Sequence, residues 1–259
     1  MHRTTRPGNP PYMSSCLSEV RFDGWLSEML KRDAYRLAFK APDRAEGRRE
    51  SAEDHELQRL LQKTPVFLYA KIQPQETNLI CFLEEKRFHL IDVNLIFSKS
   101  VVSAQALDSP LTVRFARHED EQAAANIGRS SFTYSRFHLD TSIPKELADA
   151  LKGEWVRNYF KGRRGQAMVV AEMGGVLAGF LLLLCDEKQR TLTIDLIASA
   201  PEHRRKGIAG AMVRFAESNL HGYERIIVGT QVANMPSIQL YDNLGFRVIS
   251  ASYVFHYHN

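Results

Sequence analysis

Cysteine is scarce. The three present, Cys16, Cys81 and Cys185, are odd in number and widely spaced, which suits neither a disulfide framework nor a zinc site and points to a reducing compartment. Long apolar runs are also missing. The longest, Val176 to Cys185, is too short to span a bilayer and suits a buried strand. Nothing near the start has the pattern of a secretory leader, so the expected location is cytoplasmic, without membrane insertion. The nine histidines show no metal-ligand spacing. His256 and His258 alternate on a terminal strand in structural or exposed roles, and no metal is expected. Charge of one sign is not concentrated either. Of the net +4, +3 falls in the first 50 residues, where ten Lys/Arg meet seven Asp/Glu, and no stripe of base-stacking aromatics accompanies it; nucleic acid is therefore not an expected partner. There is no repeat at solenoid spacing. Two phosphate-binding fingerprints are absent as well: the Walker loop and G-x-G-x-x-G.

What is present is an ordinary globular composition, 44% apolar and 25% charged, over 259 residues, enough for one large domain or two small ones. Residues 1–13 carry Arg, Pro and Gly and are expected to be disordered; Met13, followed by Ser14, offers a second start. Residues 14–98 read as a small α/β domain. Its elements are a strand at Tyr35–Lys40, a helix ending near Lys63 behind a capping-box-like Ser51-x-x-Asp54, a strand at Val66–Ile72, a helix opening at Pro74–Glu76, and a strand at Phe88–Phe97. Residues 99–110 read as a linker. From Leu111 a second domain follows as strand, helix, a polar and aromatic loop at Ser135–Asp140, helix, a hairpin through Gly174-Gly175, a third strand, helix, strand, helix and a last strand from Phe246.

The stretch Thr191 to Leu220 organises this second domain. It reads as a β-branched strand, then Pro201-Glu-His-Arg-Arg-Lys-Gly-Ile-Ala-Gly210, then a helix with apolar residues at Ile208, Met212, Phe215 and Ala216. A glycine-containing basic turn at a helix N-terminus is suited to an anion, because first-turn N–H groups lack intrahelical partners and the dipole favours negative charge. Taken alone, the same turn serves equally as a solvated basic loop.

Arg204-x-x-Gly207-x-Ala209 resembles the pyrophosphate motif of the GCN5-related N-acetyltransferases, the GNAT superfamily. The element order, Gly174-Gly175, Asn234 and Tyr241-x-x-x-Gly245-Phe246 extend that resemblance over residues 111–256. It implies an α/β (α+β) fold with a mixed, mostly antiparallel central sheet flanked by helices. Ser135–Asp140 and Glu154-Trp-Val-Arg-Asn158 resemble the substrate side of dTDP-fucosamine acetyltransferase-like amino-sugar enzymes, and residues 14–98 resemble that group's incomplete first domain. Phe22-Asp-Gly-Trp-Leu-Ser27 departs from the group's aromatic, glycine-containing start.

The resemblance implies acetyl-CoA as cosubstrate and direct transfer in a ternary complex to a primary amine of a small molecule, such as a nucleotide-activated amino sugar. Cofactor contacts fall on Arg204, Arg205, Lys206, Gly207, Ile208, Ala209 and Gly210 for the pyrophosphate, on the strand backbone of Leu196, Ile197 and Ala198 for the arm and thioester, and on Asn234, Ser237 and Tyr241. Asn234 also reads as a helix N-cap. Tyr241 takes the family position of the acid facing the departing sulfur; on spacing alone it is a core residue beside Ile238 and Leu244. Asp195, Glu172 and Asp140 are carboxylates available as a base, with Asp195 first, and water is the alternative. Arg136, His138 and Asp140 are the expected substrate contacts. Competing readings keep the fold but acetylate a protein or peptide, or make it a non-catalytic acyl-CoA-binding module. Strand edges of the first domain offer a surface for a homodimer.

Overall fold

The computed structural model describes residues 17–40, 52–101 and 111–259. The expectations for residues 1–13, for the Ser51 capping box and for most of the linker lie outside the described residues. The chain forms two compact units, one drawn from the first 90 residues with Phe255–Asn259, the other Ile91–Val254.

The first unit holds β1 (Leu17–Phe22), α1 (Gly24–Leu30), β2 (Asp33–Phe39), α2 (Ala52–Gln62), β3 (Val66–Ile72) and α3 (Thr77–Glu85). β1 and α1 were not expected from the sequence. Their signal was weak: β1 has one buried residue, Leu17, and α1 depends on an Asp23 cap that accepts the Leu26 N–H at 3.0 Å. β1 pairs antiparallel with β2, and β2 parallel with β3. β3 also bonds the chain end, Val66 N to Asn259 O at 2.9 Å.

The second unit contains β4 (His89–Ser100), β5 (Thr112–Phe115), α4 (Glu121–Ser131), α5 (Arg136–Leu139), α6 (Lys145–Phe160), β6 (Ala167–Met173), β7 (Val176–Asp186), β8 (Thr191–Ser199), α7 (Ile208–Asn219), β9 (Arg225–Gln231), α8 (Met235–Asn243) and β10 (Arg247–His258, ending in the first unit). Strand order within it is β10-β4-β9-β8-β7-β6-β5. The β8–β9 pair is parallel, while β4–β9, β5–β6, β6–β7 and β7–β8 are antiparallel. The mixed, mostly antiparallel sheet flanked by helices is thus the observed fold. The strand assigned from sequence to the first domain, Phe88–Phe97, instead has its register with β9, from Asn94↔Gln231 to Ser100↔Arg225, and the unit boundary falls at Leu90/Ile91.

Two apolar layers cover this sheet. On one face α7 and α8 contribute Ile208, Met212, Val213 and Tyr241. On the other α4 and α6 contribute Ala124, Ile127 and Val156. β7 lies between both layers, with Phe180 through Leu183 each 0% exposed. This is why it reads as a continuous apolar run rather than an alternating one. The hairpin before it turns through Gly174 (φ 60°) and Gly175 (φ 77°), a pair of positive φ values that matches the twist of the flanking strands. No described helix is long and apolar enough to cross a membrane.

Candidate active site

The site starts from a defect in β8. Leu182 pairs with Leu196 and Leu183 with Ile194, so Asp195 is the extra residue of a bulge. The bulge changes which way the strand faces. Leu192 and Ile194 pack into the α7/α8 layer, whereas Leu196 and Ala198 pack against α4 and α6. The parallel ladder to β9 runs only from Thr191↔Arg225 to Ile194↔Val228, although β8 continues to Ser199 and β9 to Gln231. The two strands therefore part at the bulge. Beyond the bulge Leu196, Ile197 and Ala198 pair with β7 on one side only, and this β8 edge, with the Ile197 backbone groups pointing away from β7, borders an opening in the sheet.

The basic turn sits beyond the end of β8. A short 3₁₀ turn at Pro201–His203 leads to Arg205 with φ 60° and Gly207 with φ 76°. Gly207 is the N-cap of α7. A backbone that passes through the left-handed region just before a helix aims consecutive N–H groups outward, a concavity suited to an anion. Arg204 to Gly207 are exposed, while Ile208 and Gly210 are buried. Arg204 is not free in this turn: its Nη2 donates to the Ser131 carbonyl at 2.9 Å, tying the turn to the end of α4. Arg205 and Lys206 supply the exposed charge. Close packing below makes room for the turn. A Cβ on Gly179 would stand 2.8 Å from both the Ala198 carbonyl oxygen and Ile208 Cγ2.

Asn234 caps α8, its Oδ1 accepting the Ser237 N–H at 3.3 Å while its Nδ2 donates to Thr230 Oγ1 at 3.2 Å. Tyr241, 2% exposed, lies on the same helix between Phe97 and Phe246, with ring centroids 5.7 and 5.6 Å away. It shares an apolar layer with Ile208 and Val228, against which Ile197 packs. Burial holds its hydroxyl well above the usual tyrosine range. Tyr241 is thus the core residue that its spacing suggests.

The carboxylates considered as bases are committed elsewhere. Asp195 accepts two bonds of 2.5 Å from Arg164 and one of 2.8 Å from Trp155 Nε1. Glu172 accepts from Arg114, which also holds Asp120. Asp140 is 2% exposed and accepts the Ser142 N–H at 2.9 Å, fixing the turn into α6. A carboxylate whose lone pairs already hold a guanidinium and an indole has little left with which to take a proton from substrate. The bulge, rather than base strength, explains the placement of Asp195.

The Ser135–Asp140 segment departs from expectation in a similar way. It is not an open loop but a one-turn helix, α5, with Phe137 buried at 1% exposure. His138, expected on substrate, has both ring nitrogens engaged, Nδ1 with Ser135 Oγ at 2.6 Å and Nε2 with Asp149 at 3.0 Å. Its side chain is 4% exposed, and burial lowers its pKa. Arg136 lies with its guanidinium carbon 4.5 Å from the Phe137 ring centroid.

Sequence reading missed two residues beside the bulge, Lys152 and Arg164. Arg164 stacks 4.7 Å from the Trp155 ring centroid while it holds Asp195. The Lys152 ammonium faces the same ring at 4.7 Å and the Phe132 ring at 4.9 Å. Lys152 was findable: it lies on the buried stripe of α6, next to Leu151 and one helical turn from Ala148 and Val156. A cation in an apolar stripe is the exception worth noting. Arg164 had no such signal, because its reach depends on the loop through Gly162 and Gly165, both at positive φ.

Residues 133–246 match the family model described as the acetyltransferase (GNAT) family. The chain is 30% identical over 141 residues to the spore coat polysaccharide biosynthesis protein SpsD of Bacillus subtilis, covering 53% of this chain and 47% of that protein. It is 26% identical over 119 residues to human N-acetylaspartate synthetase, covering 45% of this chain and 37% of the relative. The chain thus spans less than half the length of these curated relatives. The crystal structure of a GCN5-related N-acetyltransferase from Sphaerobacter thermophilus superposes with a TM-score of 0.58 at 14% identity, over 87% of this chain and 72% of that one.

Proposed function

We propose, from the match of residues 133–246 to the acetyltransferase (GNAT) family model, that the chain is an acetyl-CoA-dependent N-acetyltransferase for a small, anionic primary amine, a nucleotide-linked amino sugar being the leading candidate. The observation that carries this is the parting of β8 and β9 at the Asp195 bulge, followed along the chain by the basic turn ending at Gly207. An exposed basic turn with outward N–H groups fits a pyrophosphate, and a strand edge with unshared backbone groups fits an extended amide-bearing arm. Acetyl-CoA would supply the activated thioester, and coenzyme A would leave as the thiol.

The residues divide the work. Arg205, Lys206 and the N–H groups of Gly207 to Gly210 hold the diphosphate. Ile197, flanked by Leu196 and Ala198, offers a backbone N–H to the thioester oxygen. The amine nitrogen forms the new C–N bond as the C–S bond breaks, and the ammonium proton leaves to water, since the nearby carboxylates are spent. Tyr241 shares its proton with the departing sulfur. A tyrosine held above its usual range is a weaker acid than an ordinary thiol, so it stabilises the thiolate by hydrogen bonding, and the released thiol gains its final proton from solvent.

The relatives' names support two acceptor classes. One acts in polysaccharide biosynthesis, which favours the amino sugar; the other is named for making N-acetylaspartate, which favours an acidic amino acid. Thiol release from acetyl-CoA, measured against nucleotide-linked 4-amino sugars, L-aspartate, polyamines and peptides, tests the proposal. Turnover with an anionic small amine supports it. Turnover with peptides alone makes the chain a protein acetyltransferase, and binding of acetyl-CoA without turnover on any amine makes it an acyl-CoA-binding module.

A further inference from the structure

Lys152 is a buried cation held by no ion pair among the described residues. It is 7% exposed and sits among the apolar residues of α6. The nearest carboxylate it feels is Asp195, yet Asp195 is already bound twice by Arg164 and once by Trp155. Among the described residues Lys152 forms no ion pair; its ammonium rests between two aromatic faces, Phe132 and Trp155. Cation–π contact offsets part of the lost hydration of a buried ammonium but not the bulk of it. Lys152 and the Arg164–Asp195 pair meet at the Trp155 ring beside the β8 bulge, one residue from the strand edge where acetyl transfer is proposed.

A buried ammonium without an ion pair beside the acceptor position is costly to the free protein and is neutralised by an anionic ligand. We propose that Lys152 is the anchor for an oxyanion of the acceptor, a carboxylate or a phosphate, seated between Phe132 and Trp155 beside the Asp195–Arg164 pair. This rests on the acetyltransfer reading for the identity of the ligand as acceptor, though not for the existence of the anion site. The ammonium is the suitable donor here because it is a compact charge with three rotatable N–H groups. Burial brings its pKa down to about 8, with Asp195 opposing the fall and Arg136 and Arg164 adding to it, so it remains largely cationic at neutral pH. An oxyanion would bring that value back up.

The test separates the anion site from the chemistry. With coenzyme A saturating the Gly207 turn, thermal melting is followed at pH 7 in added succinate and, separately, in added inorganic phosphate, for wild type, Lys152→Met and Lys152→Gln. The expected result is a rise in wild-type melting temperature with at least one anion and no rise in either variant. Response to succinate alone assigns a carboxylate, and response to phosphate alone assigns a phosphate. A rise of equal size in all three proteins, or none in wild type with either anion, overturns the proposal. Both variants remove a buried charge, so they are expected to fold; far-ultraviolet circular dichroism checks this. With an active acceptor in hand, Lys152→Met is expected to raise KM for that acceptor at least thirtyfold while KM for acetyl-CoA holds. A fall in kcat alone, with a shifted pH profile and unchanged acceptor KM, would make Lys152 a proton acceptor and overturn the proposal. If no amine is acetylated but the anion response is present and depends on Lys152, the reading of function fails while the site stands.

Discussion

Lys152 illustrates how one side chain can be set against the stability of its own fold. Its pKa falls from 10.5 to about 8 on folding, so between those values the unfolded chain holds more protons than the folded one, and stability rises with pH across that window. Below about pH 8 both states are protonated and the full penalty remains, at most about 3 kcal/mol. Lys152→Met is therefore expected to gain roughly 2–3 kcal/mol at pH 7 and to lose most of that advantage by pH 10.5. Urea denaturation of both proteins at the two pH values checks it; a pH-independent gain contradicts it. Tyr241→Phe tests the opposite corner of the site. Removing the hydroxyl leaves the ring contacts with Phe97 and Phe246, so stability should change little, while turnover falls at least tenfold, about 1.4 kcal/mol of barrier. Tyr241 and Asn234 were legible in the sequence because a fixed spacing ties them to a helix start and to Gly245. Lys152 was legible only as a misplaced charge. Asp195 was singled out as a base, but its two partners come from α6 and from the loop after it, and no sequence spacing shows that the carboxylate is already occupied.

At the scale of elements, the close crossing of α4 and α6 brings Lys152 and Trp155 to the bulge. Gly128 makes that crossing possible: a Cβ there would lie 2.8 Å from Val156 Cγ2 and 3.1 Å from the Lys152 carbonyl oxygen. Gly128→Ala gains about 1 kcal/mol of helix propensity, yet the carbonyl belongs to rigid backbone, and overpacking of this kind costs about 1–3 kcal/mol. The expected net is destabilisation, read by denaturant midpoint, together with weaker acceptor use, because Lys152 moves with α6. Gly207→Ala addresses the other element. Forcing a side chain into φ 76° costs about 1 kcal/mol and should lower coenzyme A affinity several-fold by tilting the first turn of α7; calorimetry reads it, and unchanged affinity contradicts it. Elements with strong periodicity, β3, β9 and α7, were readable almost to the residue. The bulge was not, because Asp195 continues an unbroken strand pattern and only the register to β7 reveals it. α5 was hidden for a different reason: one helical turn carries too few residues to show a period.

At the scale of the molecule, the limits of the two compact units follow hydrogen bonding rather than composition. β4 pairs with β9, and the last residues of the chain pair with β3, connections that span the sequence and leave no local mark. Ligand binding should act on the whole fold: coenzyme A at a hundred times its dissociation constant adds about 2.7 kcal/mol to unfolding stability, and Gly207→Ala should need correspondingly more ligand for the same gain. The most direct test of the central claim is backbone amide exchange with and without acetyl-CoA. The account predicts new protection confined to two places, the Ile197 amide at the parted strand edge and Gly207–Gly210 at the α7 N-terminus. Binding that leaves those amides unchanged, or that protects a different part of the chain instead, would contradict it.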